Sequence, residues 1–291
     1  MKVGIIGASS IIGETLIYTL IEIGVEVVCF SRRKPRFLND TVRWFNIKEF
    51  SLLSEDLKSL DMLVMAVPIT ESLKYLEKFK VNNISRIVSL SSTSRFTKVN
   101  SGDSADRLLA ANIERSEDAV IRWAEYRNID WIVLRPTMIY GNGKDGNVYE
   151  ISKLVQKLRF FPLFRDGTGM RQPIHVDDVA DACIKALQTD KINKSYNIAG
   201  SEVLSYRCLV SRIFSVMDLK PRLVNFPYFV FIIGVFFAKK VLKVNNVSFG
   251  MILRQTQDLV FECEESNREL GITPRPFVLN RKDVYTATQS F

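Results

Sequence analysis

The stretch from Met1 to Gly13, MKVGIIGASSIIG, decides the fold. The apolar run Lys2–Ile6 is typical of a buried strand, and two glycines follow it within Gly7-Ala8-Ser9-Ser10-Ile11-Ile12-Gly13. Glycine permits a sharp turn from a strand into a helix and lets the backbone approach a bound group closely. The helix N-terminus then offers amide donors and the positive end of its dipole to phosphate. We therefore predict a phosphate-binding loop whose contacts come from Gly7, Ser9, Ser10, Ile11, Ile12 and Gly13.

Segments typical of strands and helices alternate after this loop. A helix is predicted over Glu14–Ile23, with Gly24 ending it. Further strands are predicted over Val25–Phe30, Met62–Val67, Arg86–Ser91 and Trp131–Leu134, and further helices over Ser104–Tyr126, Val148–Leu158, Asp178–Leu187 and Ser205–Met217. Such alternation is typical of an α/β fold with a parallel sheet and helical crossovers. We expect residues 1–141 to form the sheet domain and residues 142–291 to form mainly a smaller lobe, with some later segments returning to the sheet.

Composition restricts the class of protein. The 291 residues are 47% hydrophobic and 25% charged, which is the balance of a folded globular chain. The net charge of +8 favours an anionic partner, but no nucleic-acid-binding motif is present, so nucleic acid is not expected. The four cysteines are widely separated and indicate neither a metal site nor a disulfide framework. Together with the absence of a secretory pattern at the N-terminus, this predicts a cytoplasmic protein.

One segment is unusually hydrophobic. Phe226–Ala238 is almost wholly apolar and is followed by Lys239 and Lys240. A membrane-spanning helix needs about 20 apolar residues, so this run is too short to span. A buried helix of the second lobe is the first interpretation. The alternative is an interfacial helix over Phe226–Lys240 that gives the protein a peripheral membrane contact.

The end of the second predicted strand bears on the choice of dinucleotide. Sites that select NAD place an acidic residue there, on the adenosine ribose. This chain instead has Ser31-Arg32-Arg33-Lys34. A guanidinium offers paired donors that suit a 2′-phosphate. The sequence therefore predicts NADP in preference to NAD, with Ser31, Arg32 and Arg33 as contacts.

Three further stretches complete a recognisable pattern: Ser91-Ser92-Thr93, the run LRPTMIYG from Leu134 to Gly141, and the run RQPIHVDDVA from Arg171 to Ala180. With the glycine loop, they resemble the NAD-dependent epimerase/dehydratase family of extended short-chain dehydrogenases/reductases, which act on nucleotide sugars. The resemblance covers nearly the whole chain, although Ser10 stands where the family has its middle glycine. It implies a Rossmann-type doubly wound parallel sheet with a smaller C-terminal α/β substrate lobe.

The resemblance also implies roles for single residues. Arg171 matches the family arginine that reaches a substrate diphosphate, and Thr93 and Asn142 are expected to join it in binding substrate. His175, the only histidine, takes a position that supports the second lobe. The remaining residues expected to contact the cofactor are Ala66, Val67, Pro68, Leu90, Ser91, Pro136, Thr137 and Ile139.

The family's proton relay is missing from the matching helix. The resemblance implies a tyrosine and, four residues later, a lysine whose ammonium lowers the pKa of the phenol. Here the two positions are Ile113 and Glu117. Isoleucine exchanges no proton, and a glutamate would raise the pKa of a nearby phenol. Thr93 and Tyr140 remain as candidate catalytic groups, and Glu117 is a candidate acceptor for the nicotinamide ribose.

Several functions therefore stay open. The first is an NAD(P)-dependent, epimerase/dehydratase-like oxidoreductase that acts on a nucleotide sugar or a related small carbonyl or hydroxyl compound, with non-standard catalytic residues. The second is a catalytically inactive NADP-binding sensor or a subunit of a larger assembly. A third is a membrane-peripheral member of the same family that uses Phe226–Lys240 to reach a lipid-linked substrate. An oligomer is compatible with each of them.

Overall fold

The computed structural model describes residues 1–35, 42–48, 59–77, 84–227 and 253–285. The strands in chain order are β1 (Lys2–Ile6), β2 (Glu26–Ser31), β3 (Val42–Asn46), β4 (Met62–Met65), β5 (Arg86–Leu90), β6 (Asp130–Pro136), β7 (Ile139–Tyr140), β8 (Phe161–Phe164), β9 (Met170–Arg171), β10 (Ile174–His175), β11 (Lys194–Ile198), β12 (Leu204–Ser205) and β13 (Leu223–Phe226). The helices are α1 (Ile11–Glu22), α2 (Ile69–Leu76), α3 (Ser94–Thr97), α4 (Ser104–Glu125), α5 (Val148–Leu158), α6 (Val176–Gln188), α7 (Tyr206–Val216), α8 (Glu264–Leu270) and α9 (Arg281–Val284).

Seven of these strands form one parallel sheet in the order β11-β6-β5-β4-β1-β2-β3. The chain builds outward from β1 through β2 to β3, then returns to β4 on the other side of β1 and continues outward. The predicted doubly wound parallel sheet is confirmed. Its switch point lies between β1 and β4, where sheets of this kind bind ligands outside the carboxyl ends of their strands.

Helices cover both faces of the sheet. Leu16, Ile17 and Leu20 of α1 are fully buried in a core that also contains much of α6. On the opposite face, α2 and α4 bury Leu76 and Val120 in a second core. Because both faces are covered, the central strands are nearly continuous apolar runs, as expected of a parallel sheet.

A third apolar core belongs to the second half of the chain, where α5 and α7 pack together. Three two-stranded sheets accompany it: β10 with β7, β12 with β9, and β13 with β8. The strand β11 also comes from this half, yet it pairs with β6 in the main sheet. The second lobe is thereby attached beside the carboxyl ends of β5 and β6.

The apolar segment Phe226–Lys240 lies outside the described residues except for Phe226 and Pro227. Within the described ranges, no helix is both long and apolar enough to cross a membrane. The interfacial helix therefore stays a prediction from the sequence.

Candidate functional site

The turn after β1 brings α1 unusually close to the sheet. Gly7 has φ +87°, and a β carbon there would lie 2.7 Å from Val67 Cγ1. At Gly13 a β carbon would collide with the Gly7 carbonyl oxygen and would lie 2.8 Å from the Ala8 Cα. Both positions therefore require glycine, as the sequence predicts for a loop that approaches phosphate.

Ser10, which replaces the middle glycine of the family loop, caps α1. Its Oγ accepts the Gly13 N–H at 3.0 Å and donates to the Ala66 carbonyl oxygen at 3.0 Å. The hydroxyl therefore ties the loop to the end of β4. Ser10 therefore shapes the loop, and its hydroxyl hydrogen is already donated to the Ala66 carbonyl oxygen.

The first amides of α1 are the donors that a phosphate would meet. The Glu14 amide bonds to the Ser10 carbonyl, and the Gly13 amide bonds to the Ser10 side chain. In the described part of the chain, the amides of Ile11 and Ile12 have no acceptor. Unpaired N–H groups and the helix dipole both favour an anion at this end. The two open amides at a helix N-terminus, behind a tight glycine turn, fit the pyrophosphate of a dinucleotide.

The end of β2 presents two arginines beside this loop. Ser31 is buried; its Oγ accepts the Trp44 Nε1–H at 2.9 Å and donates to the Arg33 carbonyl oxygen at 2.5 Å. Ser31 thus fixes the turn. Arg32 and Arg33 are exposed, and neither forms a salt bridge with any described residue. Their guanidinium groups are therefore available to an anionic ligand.

The other predicted cofactor contacts come from the carboxyl ends of the central strands. They lie after β4, at the end of β5 and around β6 and β7. Adjacent parallel strands β1, β4, β5 and β6 bring these ends to one edge of the sheet. The residues in question are Ala66, Val67, Pro68, Leu90, Ser91, Pro136, Thr137 and Ile139.

The two relay positions on α4 are both buried inside the protein. Ile113 is 4% exposed and belongs to the apolar core beneath α4. Glu117 is fully buried, and its carboxylate accepts hydrogen bonds from the Ser91 hydroxyl and from Arg95. Arg135 adds bonds from Nε at 3.0 Å and from Nη2 at 2.7 Å. Both carboxylate oxygens are thus taken, which argues against Glu117 as an acceptor for a nicotinamide ribose.

The cations around Glu117 make its burial tolerable. A buried carboxylate is costly unless it is paired and hydrogen-bonded, and here two guanidinium groups compensate it. The Phe96 ring lies between them, 5.2 Å from Arg95 Cζ and 5.4 Å from Arg135 Cζ. An ion cluster therefore occupies the region where the family relay would stand.

The Tyr-x-x-x-Lys spacing does occur in this chain, but not on α4. Tyr149 and Lys153 have it on α5, where the Lys153 ammonium lies 5.0 Å from the centre of the Tyr149 ring and pairs with Glu150. Tyr140 and Lys144 also have it, with Tyr140 at the end of β7 and Lys144 in the loop that follows. A register shifted by one turn on α4 would place Leu109 and Ile113 at the relay positions, which are also apolar.

The structure argues against Tyr140 as a proton donor. Its side chain is fully buried, and its hydroxyl lies 3.4 Å from the Val278 carbonyl oxygen. Its ring packs edge-on against His175 and Phe277. Burial raises the pKa of the phenol well above its usual range. His175 is equally buried and caps α6 by accepting the Asp177 N–H, in line with a supporting role.

A cavity of about 250 Å³ lies between the second lobe and the ends of β5 and β6. Of the predicted substrate residues, Thr93 and Arg171 line it. Thr93 is 6% exposed, and its hydroxyl donates to the Pro136 carbonyl oxygen at 3.2 Å. Asn142 is not among the lining residues; its amide donates to the Asp283 carboxylate at 3.1 Å. The lining residues that sequence reasoning did not identify include Lys98, Tyr206 and Arg254.

Arg171 holds one wall of this cavity in place. Its guanidinium is 3% exposed and donates to the carbonyl oxygens of Met170 and Gln257 at 2.8 Å, and to that of Arg254. Burial lowers its pKa to about 10. The Tyr206 ring packs against it, 5.2 Å from ring centre to Arg171 Cζ.

These features agree with the known proteins that the chain resembles. Residues 64–199 match the model of the NAD dependent epimerase/dehydratase family. Over this range, slightly less than half of its length, the chain is similar to that family. The predicted resemblance is thereby confirmed, and the matched segment runs from β4 to just beyond β11.

Solved epimerases share the fold across the whole chain. UDP-glucose 4-epimerase from Thermotoga maritima, solved with UDP-glucose, has a TM-score of 0.70 at 16% identity and covers 97% of this chain and 96% of its own. UDP-glucuronic acid 4-epimerase from Bacillus cereus, solved with UDP-glucuronic acid and NAD, has a TM-score of 0.71 at 17% identity with the same coverage. At these identities the likeness concerns the fold alone.

The curated relatives match shorter stretches. Over 98 residues the chain is 32% identical to a mitochondrial protein of Arabidopsis thaliana named NADH dehydrogenase (ubiquinone) 1 alpha subcomplex subunit 9, covering 33% of this chain and 24% of that protein. It is 25% identical over 147 residues to an uncharacterised protein of Sinorhizobium fredii, covering 50% of this chain and 37% of that one. The chain thus spans 24% and 37% of the lengths of these two relatives.

Changing Gly13 to alanine tests the loop. We expect Gly13→Ala to weaken NADPH binding at least about tenfold and to lower the melting temperature, because overpacking costs about 1–3 kcal/mol. Calorimetric titration and thermal unfolding measure the two effects. Gly102→Ala is the matched control, since nothing lies within 4 Å of the added β carbon there. A Gly13→Ala variant with normal affinity would contradict the assignment.

Removing the Glu117 carboxylate tests the buried ion cluster. We expect Glu117→Ala to lower the free energy of unfolding by about 3–5 kcal/mol, because it leaves two guanidinium groups without their buried partner. Denaturant unfolding measures this loss. Glu114→Ala is the control: Glu114 also pairs with Arg95, at 3.1 Å, but its side chain is 59% exposed. Equal losses in the two variants would refute a special role for Glu117.

Proposed function

We propose that this protein binds NADP(H) at the carboxyl edge of its sheet and that the bound dinucleotide is its functional ligand. The observation that carries this proposal is the pair of open amides, Ile11 and Ile12, behind a turn that only glycine fits at positions 7 and 13. These amides would hold the pyrophosphate. The solved epimerase from Bacillus cereus with NAD supports a nicotinamide cofactor for this fold.

The preference for NADP rests on the end of β2. Arg32 and Arg33 are exposed there, and Ser31 occupies the strand end in place of a carboxylate. A guanidinium would bind a 2′-phosphate with paired donors, whereas nothing at Ser31 to Lys34 would accept hydrogen bonds from both ribose hydroxyls as a carboxylate does.

We further propose that the dinucleotide serves a sensing or assembly role, without the family's proton relay. Three features support this role. Ile113 is buried, the Glu117 carboxylate is paired with two arginines, and Tyr140 of β7 is part of a core. The relative in Arabidopsis thaliana is named as a subunit of NADH dehydrogenase, which is in keeping with a place in a larger assembly.

One observation favours a second candidate, an oxidoreductase acting on a nucleotide sugar or a related small carbonyl or hydroxyl compound. The cavity beside β5 and β6 contains Thr93 and Arg171, as a substrate site of the family would. A bound nicotinamide supplies a hydride donor or acceptor. In this candidate, Thr93 would bind the reacting hydroxyl and Arg171 an anionic group of the substrate.

The Arg32→Ala variant tests the preference for NADP. We expect it to weaken NADPH binding at least about tenfold and to leave NADH binding nearly unchanged, because only NADPH carries the 2′-phosphate. Titration of both dinucleotides by calorimetry gives the ratio. Lys220→Ala, another exposed cation in the second lobe, should change neither affinity. Equal weakening of NADPH and NADH by Arg32→Ala would exclude the 2′-phosphate role.

An activity assay separates the two candidates. For the sensing or assembly role we expect one NADPH to bind per chain with no oxidation of it by UDP-glucose or UDP-glucuronic acid derivatives that carry a carbonyl. Absorbance of the reduced nicotinamide follows the reaction. Turnover that is lost in Thr93→Val would instead favour the oxidoreductase.

A further inference from the structure

A loop from the second half of the chain reaches the predicted dinucleotide loop. This segment, residues 141–147, follows β7 and leads into α5. The ammonium of its Lys144 lies 2.9 Å from Glu14 Oε2, and Glu14 belongs to the first turn of α1. An ion pair therefore joins the two halves of the chain beside the amides that we assign to the dinucleotide.

The 141–147 loop holds the backbone of Lys144 in a fixed place. Gly143 has φ +57°, and a β carbon there would collide with a main-chain carbonyl oxygen of the second lobe. The buried Asp145 carboxylate accepts the amide hydrogen of Asn147 at 2.8 Å and that of Gly141 at 3.3 Å. Because the residues on both sides of Lys144 are anchored in this way, its position does not depend on the ion pair with α1.

Glu14 lies close to the open amides of α1. It follows Ile12 by two residues, which is less than one helical turn, and side chains on a helix tilt toward its N-terminus. A carboxylate in the first turn interacts favourably with the helix dipole, but it repels an anion that binds the same amides. A pyrophosphate bound there is therefore favoured by a cation beside Glu14, and Lys144 provides one.

The Lys144 ammonium has donors to spare. An ammonium carries three N–H groups. Within the described parts of the chain, this one makes a single hydrogen bond, to Glu14. The Lys144 side chain is 36% exposed, so a ligand can reach it. The ammonium can therefore bond to the carboxylate and to a phosphate oxygen at the same time.

We propose that Lys144 bridges Glu14 and a pyrophosphate oxygen of the bound dinucleotide. The second half of the chain thereby contributes a cation to a site whose other pyrophosphate donors are main-chain amides of the first half. The inference rests on the proposed dinucleotide function and adds to it a contact that links the ligand to the 141–147 loop.

Titration of Lys144→Ala with NADPH and with NADH tests this contact. We expect both dinucleotides to bind at least about tenfold more weakly by calorimetry, because both lose a charge-assisted hydrogen bond to their pyrophosphate. Arg32→Ala, in contrast, should weaken NADPH alone. The melting temperature of Lys144→Ala should stay near that of the wild type, since a partly exposed ion pair contributes little to stability.

A double variant separates a direct contact from simple neutralisation of Glu14. If Lys144 only cancelled the charge of Glu14, the combination of Glu14→Gln with Lys144→Ala would bind NADPH as well as Glu14→Gln alone. A direct contact predicts that the double variant still binds NADPH at least about tenfold more weakly than Glu14→Gln.

Lys2→Ala is the matched control. Lys2 pairs with Glu26 at 3.0 Å, at the end of β1 opposite to the glycine loop, so its loss should leave the affinity for NADPH unchanged. Normal NADPH affinity in Lys144→Ala, a loss confined to NADPH, or recovery in the double variant would overturn the inference and leave the dinucleotide function standing. Wild-type protein that binds neither dinucleotide would refute both.

Discussion

The close packing of α1 against the end of β1 is the contact on which the rest of the site depends. Gly13 lies so near the Gly7 carbonyl that it accepts no β carbon, and at Gly7 a β carbon would collide with the Ala66 carbonyl oxygen. This approach points the first amides of α1 past the edge of the sheet, at the switch point between β1 and β4. Ser10 secures the arrangement through Gly13 and the Ala66 carbonyl. A dinucleotide site thus follows from backbone geometry, with few side chains involved.

A buried ion cluster lies on α4, in the region where the resemblance predicts proton transfer. On α4, Ile113 and Glu117 stand at the two positions where the resemblance predicts the phenol and the ammonium. The buried Glu117 binds Arg95 and Arg135, and Arg95 belongs to α3, whose two end residues, Ser94 and Thr97, line the neighbouring cavity. The ion cluster therefore stabilises one wall of the cavity. Binding functions survive such a change more readily than the proton relay does, because they need shape and charge only.

Local patterns in the sequence predicted most of the central sheet. The conformations of the loop at Gly7, of β1 and of α5 are set mainly by residues that are neighbours in the sequence, which is why they could be predicted. The helix α5 has the predicted bounds. The edge strands β3 and β11 were not predicted, because they carry polar and half-exposed residues instead of an apolar run. The sequence predicted only some of the residues that line the cavity. Lys98, Tyr206 and Arg254 were not predicted, because they come from distant segments that only tertiary packing brings together. Reading α4 alone also overlooks the Tyr-x-x-x-Lys spacing on α5.

A crystal structure of the protein with NADPH is the most direct measurement of the central claim. The account predicts pyrophosphate oxygens about 2.7–3.2 Å from the amide nitrogens of Ile11 and Ile12. It also predicts that Gly7 and Gly13 lie against the ligand without movement of the loop. A dinucleotide bound elsewhere on the chain, or crystals that take up none at saturating concentration, would contradict it.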